Sequence, residues 1–113
     1  MSARNPLLAA PPYEVEQALK TLGANLRTAR LRRNLSIAEV AAKLGVGRHV
    51  VGDAEHGKPS TGVAVYAGLL WALGLVEQLG RIADPRADDE GQVRARERDR
   101  ARAGARQGLD DDF

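Results

Sequence analysis

The chain has no cysteine and only four aromatic residues: one tryptophan, two tyrosines and one phenylalanine. The missing cysteine excludes disulfide frameworks, thiolate nucleophiles and cysteine-ligated zinc or iron–sulfur centres. The scarcity of aromatics leaves any core mostly aliphatic. No apolar run approaches the roughly 20 residues that cross a bilayer. The opening segment holds one arginine and the short apolar patch Leu7-Leu8-Ala9-Ala10, too little for a secretory signal, so a cytoplasmic protein is expected. A glycine-rich phosphate loop and a nucleophile–base pairing are both absent from the pattern, so neither an enzyme nor a cofactor is expected. β-Hairpin signals and internal repeats are absent too.

Strong charge of one sign is also lacking: 17 Lys and Arg stand against 15 Asp and Glu over 113 residues, a formal net charge of +2. That figure hides an asymmetry. Residues 1–83 carry ten basic and six acidic residues, hence +4, while residues 84–113 carry seven arginines and nine acids, hence −2. A basic body suggests a polyanionic partner, and the tail a separate role.

The remaining pattern is helical and fits one small domain. Residues 1–11 read as a flexible arm. Pro11-Pro12 opens a helix over about 13–33, where Val15, Leu19, Leu22, Leu26 and Ala29 form an apolar stripe. Gly23 interrupts that stripe at about 1 kcal/mol relative to alanine, which leaves two shorter helices as an alternative. Ser36 and Glu39 are spaced as a capping box for a helix ending at Leu44, where Gly45 suits a left-handed cap. A short helix over 48–56 turns Val50, Val51 and Ala54 inward and stops at Gly57. The Lys58–Thr61 loop caps a fourth helix with Val63, Tyr66, Leu70 and Leu73 inside, and Leu75, Val76, Leu79 and Ile82 add a final amphipathic turn. The expected fold is all-α: a compact five-helix repressor-like domain over 12–83, followed by a charged tail over 84–113. That tail is either disordered or folded on a partner. On a helix, Arg94, Arg98, Arg102 and Arg106 would share one face.

Two short helices joined by three or four residues must cross steeply at close range. Ala41 supplies the small contact residue, Gly45 the bend and Val51 the aliphatic anchor, which together make a helix-turn-helix signature. From Leu22 to Leu75 the sequence resembles the Xre-type, phage-repressor-like helix-turn-helix family. The residues that carry this likeness are Leu26-Arg-Thr-Ala-Arg30, Leu35-Ser36, Glu39-Val40-Ala41, Lys43-Leu44-Gly45-Val46, Arg48, Val51, Glu55, Gly57-Lys58, Pro59-Ser60 and Ala72-Leu73-Gly74. The resemblance implies a pair between Arg30 and Glu55 that ties the first helix to the recognition helix. That helix would present Gly47, Arg48, His49, Gly52 and Asp53 to base edges in the major groove. Arg48 suits guanine N7 and O6, and Asp53 suits cytosine N4. At Ile37 the family often carries a phosphate-clamping glutamine, so Ser36, Lys43, His56 and Lys58 are the phosphate candidates. His49, Asp53 and His56 also share a face with metal-ligand spacing, a minor rival on the surface a DNA reader must expose; no metal is expected.

A domain this small touches few phosphates, so a homodimer on two-fold operator DNA is expected. Trp71 lies off the inner stripe and, with Leu69, Leu75 and Leu79, forms the candidate dimer or partner interface. Residues 73–91, with their Leu-Gly-Leu helix end, Ala-Asp-Pro step and acidic stretch, resemble antitoxins of the HipB type. That likeness implies an autorepressor partnered with a HipA-like serine/threonine kinase toxin. A free-standing Xre-type regulator and a protein-interaction adaptor without DNA reading are the alternatives.

Overall fold

The computed structural model describes residues 5–111, with side chains described as far as residue 108. Residues 1–4 of the expected arm and 112–113 of the expected tail lie outside the described residues. Every regular element within them is helical. Two units are present, one ending at Leu79 and the other starting at Gly80.

In the first unit, the arm carries one exposed helical turn, α1 (Pro6–Ala9). The Asn5 side chain caps it by accepting from the Leu7 N–H at 2.9 Å, and Pro6 fits its first position. The long helix α2 (Tyr13–Arg32) follows, with Glu14 and Glu16 at its positive end and Arg30 and Arg32 at its negative end. Asn34, just past its C-cap at Arg33, takes a positive φ of 55° and turns the chain away. Helix α3 (Ile37–Leu44) starts with the reciprocal Ser36–Glu39 capping box: the Glu39 N–H donates to Ser36 Oγ at 3.0 Å, and the Ser36 N–H to Glu39 Oε1 at 3.2 Å. Gly45, at φ 68°, turns the chain into α4 (Arg48–Glu55). Then comes α5 (Val63–Ala72), and a 3-10 turn over Val76–Arg81 carries the chain into the second unit.

The core is a single cluster in which Leu26 of α2 meets Val40 and Ala41 of α3, Val51 and Ala54 of α4, and Tyr66, Leu69, Leu70 and Leu73 from α5 and its end. Ala41 and Val51, the small residue and the aliphatic anchor of the sequence signature, are both buried here. Three packing expectations are corrected. Val15 and Val63 stand exposed, Val63 at 72%, whereas Leu69 is 2% exposed and belongs to the core rather than to any partner surface. For Val63 and Leu69 the cause is the sequence of α5, which is apolar on nearly every face (Val-Ala-Val-Tyr-Ala-Gly-Leu-Leu-Trp-Ala) and offers no stripe to choose between, while Val15 sits in the first turn of α2, ahead of the residues that pack on the core.

α2 does not break at Gly23. That residue is buried, and a Cβ built on it would collide with the backbone carbonyl oxygens of Glu55 and, at 2.6 Å, of Ala54. Gly57, at φ 70°, approaches the same helix, since a Cβ there would lie 2.6 Å from the Leu19 carbonyl. Two glycines thus let the end of α4 lie directly against α2.

The second unit is local in construction. The Asp84 carboxylate accepts from the backbone N–H and guanidinium of Arg86 at 2.9 and 3.0 Å. The guanidinium, then the N–H, hold that carboxyl below its ordinary pKa. A 3-10 turn over Pro85–Ala87 leads to α6 (Asp89–Asp111), where Asp88 accepts from the Gly91 N–H and Gln92 Nε2 donates to the carbonyls of Pro85 and Arg86. The expected tail therefore contains a helix, with the four-residue arginine spacing laid out on it.

Alanine at position 23 separates close packing from simple propensity. An unobstructed helical site would gain about 1 kcal/mol from Gly→Ala. Here Gly23→Ala is expected to lose about 1–3 kcal/mol, because a backbone carbonyl occupies the Cβ position. Thermal unfolding that showed a raised Tm would contradict the contact.

Candidate nucleic-acid interface

Helix α4 is held at its C-terminal end and open at its N-terminal end. At the held end, Arg30 and Glu55 form a buried bidentate pair: Nε donates to Oε2 at 2.6 Å and Nη2 to Oε1 at 2.9 Å. The residues are 7% and 8% exposed. Arg30 Nη1 also donates to the Leu35 carbonyl at 2.8 Å, so one guanidinium joins α2, the approach to α3 and the end of α4. The Glu55 hydrogen bond, and secondarily its charge, raise the Arg30 pKa above the ordinary arginine value against the opposing effect of burial. A buried charge pair is tolerable only when its hydrogen bonds are satisfied, and three of them are made here.

At the open end, Gly47, Arg48 and His49 are exposed, while Gly52 and Asp53 further along are half-buried. Space beside Gly52 is empty, so the backbone there permits close approach by a ligand. Asp53 forms a half-exposed ion pair with Lys58 at 3.5 Å, a contact worth little in water and easily exchanged.

The four phosphate candidates each hold a local partner. Ser36 Oγ caps α3, the His56 ring nitrogen Nδ1 meets the Gly52 carbonyl at 2.7 Å, and Lys58 pairs with Asp53. Lys43 Nζ lies 4.9 Å from the centroid of the Trp71 ring, a cation–π contact. His49, Asp53 and His56 do not converge, and among the described residues no group of three or more His, Asp and Glu side chains is arranged to hold a metal.

A cleft with a mixed polar and apolar lining adjoins the open end. It measures about 210 Å³ and is lined by His49, Val50 and Asp53 from α4 and by Ser60, Thr61, Gly62 and Val65 around the start of α5. Neither α4 nor α5 has a side-chain N-cap, since glycine (Gly47, Gly62) occupies both cap positions. The expected capping of α5 by the Lys58–Thr61 loop is thus not made by a side chain. Thr61 Oγ1 is buried without a hydrogen-bond partner among the described residues. The uncapped N-terminal amides of α5 suit an anionic oxygen such as a phosphate, whereas the Thr61 hydroxyl is closed off from solvent. Ser60, Thr61 and Gly62 were not among the expected contacts; the one signal was a Ser-Thr-Gly run directly ahead of an apolar helix.

Trp71 is 54% exposed, and Leu75 and Leu79 are half-buried against the cluster. Of the expected partner surface, Leu69 alone is removed.

Residues 21–81, more than half of the chain, match the family model described as a helix-turn-helix domain. No curated protein and no solved structure matches the chain.

Arg48 is the exposed guanidinium nearest the start of α4. On the duplex that the protein itself selects from a random pool, Arg48→Ala should cost about 1–3 kcal/mol and relax one base position. Unchanged affinity and selectivity, measured by fluorescence anisotropy, would remove Arg48 from the reading face.

Proposed function

The chain belongs to the helix-turn-helix domain family, and we propose that it is a sequence-specific DNA-binding transcriptional repressor acting as a homodimer. The observation that carries this reading is a recognition-type helix anchored at one end by a buried ion pair and presenting Arg48 and His49 at the other. In the proposed complex α4 enters the major groove. Arg48 reads guanine, with His49, Gly47, Gly52 and Asp53 forming the rest of the reading face. Ser36, Lys43, His56 and Lys58, together with the Ser60–Gly62 cleft, meet the phosphates. The half-exposed Asp53–Lys58 pair is cheap to open, so both side chains are available to DNA.

The exposed Trp71 ring, together with the half-buried Leu75 and Leu79, is the proposed dimer surface. Pairing two domains doubles the phosphate contacts and calls for half-sites about one helical turn apart.

The antitoxin reading, with a HipA-like kinase partner, rests on the likeness of residues 73–91. Those residues have ordinary local duties. Leu73-Gly74-Leu75 ends α5 through bonds from the Gly74 and Leu75 N–H groups to Trp71 and Leu70, and Asp84 caps the turn that follows Ala83. The primary reading is therefore the repressor. Copurification with the product of the adjacent reading frame tests the antitoxin, and an adaptor without DNA reading would bind no selected site.

Selection from a random duplex pool should return a two-fold symmetric site. Trp71→Ala should turn dimer into monomer in sedimentation experiments and lower affinity for that site at least tenfold, equivalent to about 1.4 kcal/mol. A pool that stays random would refute sequence-specific reading, and an unchanged sedimentation coefficient would refute the Trp71 surface.

A further inference from the structure

The charged helix α6 has no role in the reading above, and its pattern asks for one. Arg94, Arg98, Arg102 and Arg106 recur at four-residue steps. With a rise of about 1.5 Å per residue they stand about 6 Å apart and span about 18 Å, spread over roughly a third of the helix circumference. Like charges at this spacing disfavour a helix by about 0.2–0.5 kcal/mol per pair, and three such pairs follow one another. No apolar stripe compensates, because Val93 is the single large apolar residue between Asp89 and Gly108. Arg94 has Glu90 as a partner, whereas among the described residues Arg98 and Arg102 form no ion pair. Glu97, three residues from Arg94, and Asp99, three residues from Arg102, border the arginine row, yet among the described residues neither forms an ion pair with it. Over residues 92–108 six arginines face two acids, a local charge of +4.

An ordered, self-repelling row of exposed guanidinium groups is stabilised by a row of anions. Duplex DNA supplies one, with a phosphate every 3.4 Å of axis on each strand, so that about 18 Å of helix runs alongside about five of them. The guanidinium fork matches phosphate oxygens in pairs and keeps its charge at any pH the fold meets. We propose that α6 is a second, sequence-independent DNA contact in which Arg94, Arg98, Arg102 and Arg106 lie along a phosphate backbone. The choice of DNA as the polyanion rests on the helix-turn-helix reading above. The contact itself needs no base recognition.

The test uses the full chain and a labelled duplex of about 30 random base pairs, followed by fluorescence anisotropy from about 50 to 200 mM salt. Arg98→Gln, Arg102→Gln and Arg106→Gln are combined in one variant, which spares the Arg94–Glu90 pair and keeps good helix formers throughout. Affinity should fall at least tenfold at the low-salt end, and the slope of log K against log salt should become shallower by about 2 to 3. The corresponding triple Arg→Lys variant should keep most of the slope, and circular dichroism should show both variants folded. A triple Gln variant with wild-type affinity and slope overturns the proposal. So does a glutamate homopolymer that competes with the duplex on equal terms, which would assign α6 to an acidic protein. Failure of the helix-turn-helix reading has a different mark: Arg48→Ala would leave binding to selected and random duplexes alike unchanged, whatever the triple variant does.

Discussion

The structure turns on the Arg30–Glu55 pair. One planar guanidinium satisfies both oxygens of a carboxylate 25 residues away and a backbone carbonyl at Leu35. Removing two charges from water costs several kcal/mol each, so such a pair gives little net stability, yet losing one member leaves the other buried and alone, at about 3–5 kcal/mol. What the pair supplies is position. Glu55 is the last residue of α4, so the direction in which that helix projects Arg48 and His49 is set from α2.

That pair closes because the backbones are already in contact. Gly23 receives the carbonyls of Ala54 and Glu55, and Gly57 meets the Leu19 carbonyl. Larger residues would move α4 outward, lengthening the 2.6 and 2.9 Å bonds of the ion pair. The hydrophobic cluster under Val51 and Ala54 fixes the roll of the same helix. Rotation, tilt and approach are therefore each governed by a different interaction, and the Arg48–His49 end of α4 can remain polar and exposed.

Local chemistry was legible in the sequence. The Ser36–Glu39 box, the left-handed turn at Gly45 and the burial of Ala41 and Val51 on either side of it depend on residues close in the chain, and each is found as expected. Long-range choices were not. Gly23 reads as a weakness until α4 is laid against it, and α5 is too uniformly apolar for periodicity to tell Val63 from Leu69. The Arg30–Glu55 partnership came from family likeness, since nothing in either residue's own neighbourhood points across the chain. Lys43 and Lys58 read as phosphate candidates in sequence, while in the fold one lies over Trp71 and the other faces Asp53. In the tail, charge alone did not decide between coil and helix, because its arginine spacing is compatible with both.

A basic body of +4 is a modest footprint for a DNA reader, which is why orientation matters more here than total charge. The most direct measurement is a double-mutant cycle at Arg30 and Glu55, followed by chemical denaturation and by affinity for the selected duplex. Each single alanine variant should lose about 3–5 kcal/mol of stability. The double variant should lose little more than the worse single one, with affinity for the selected duplex falling in all three. Additive losses, or full affinity in a folded Arg30→Ala protein, would contradict the claim that this pair aims the reading helix.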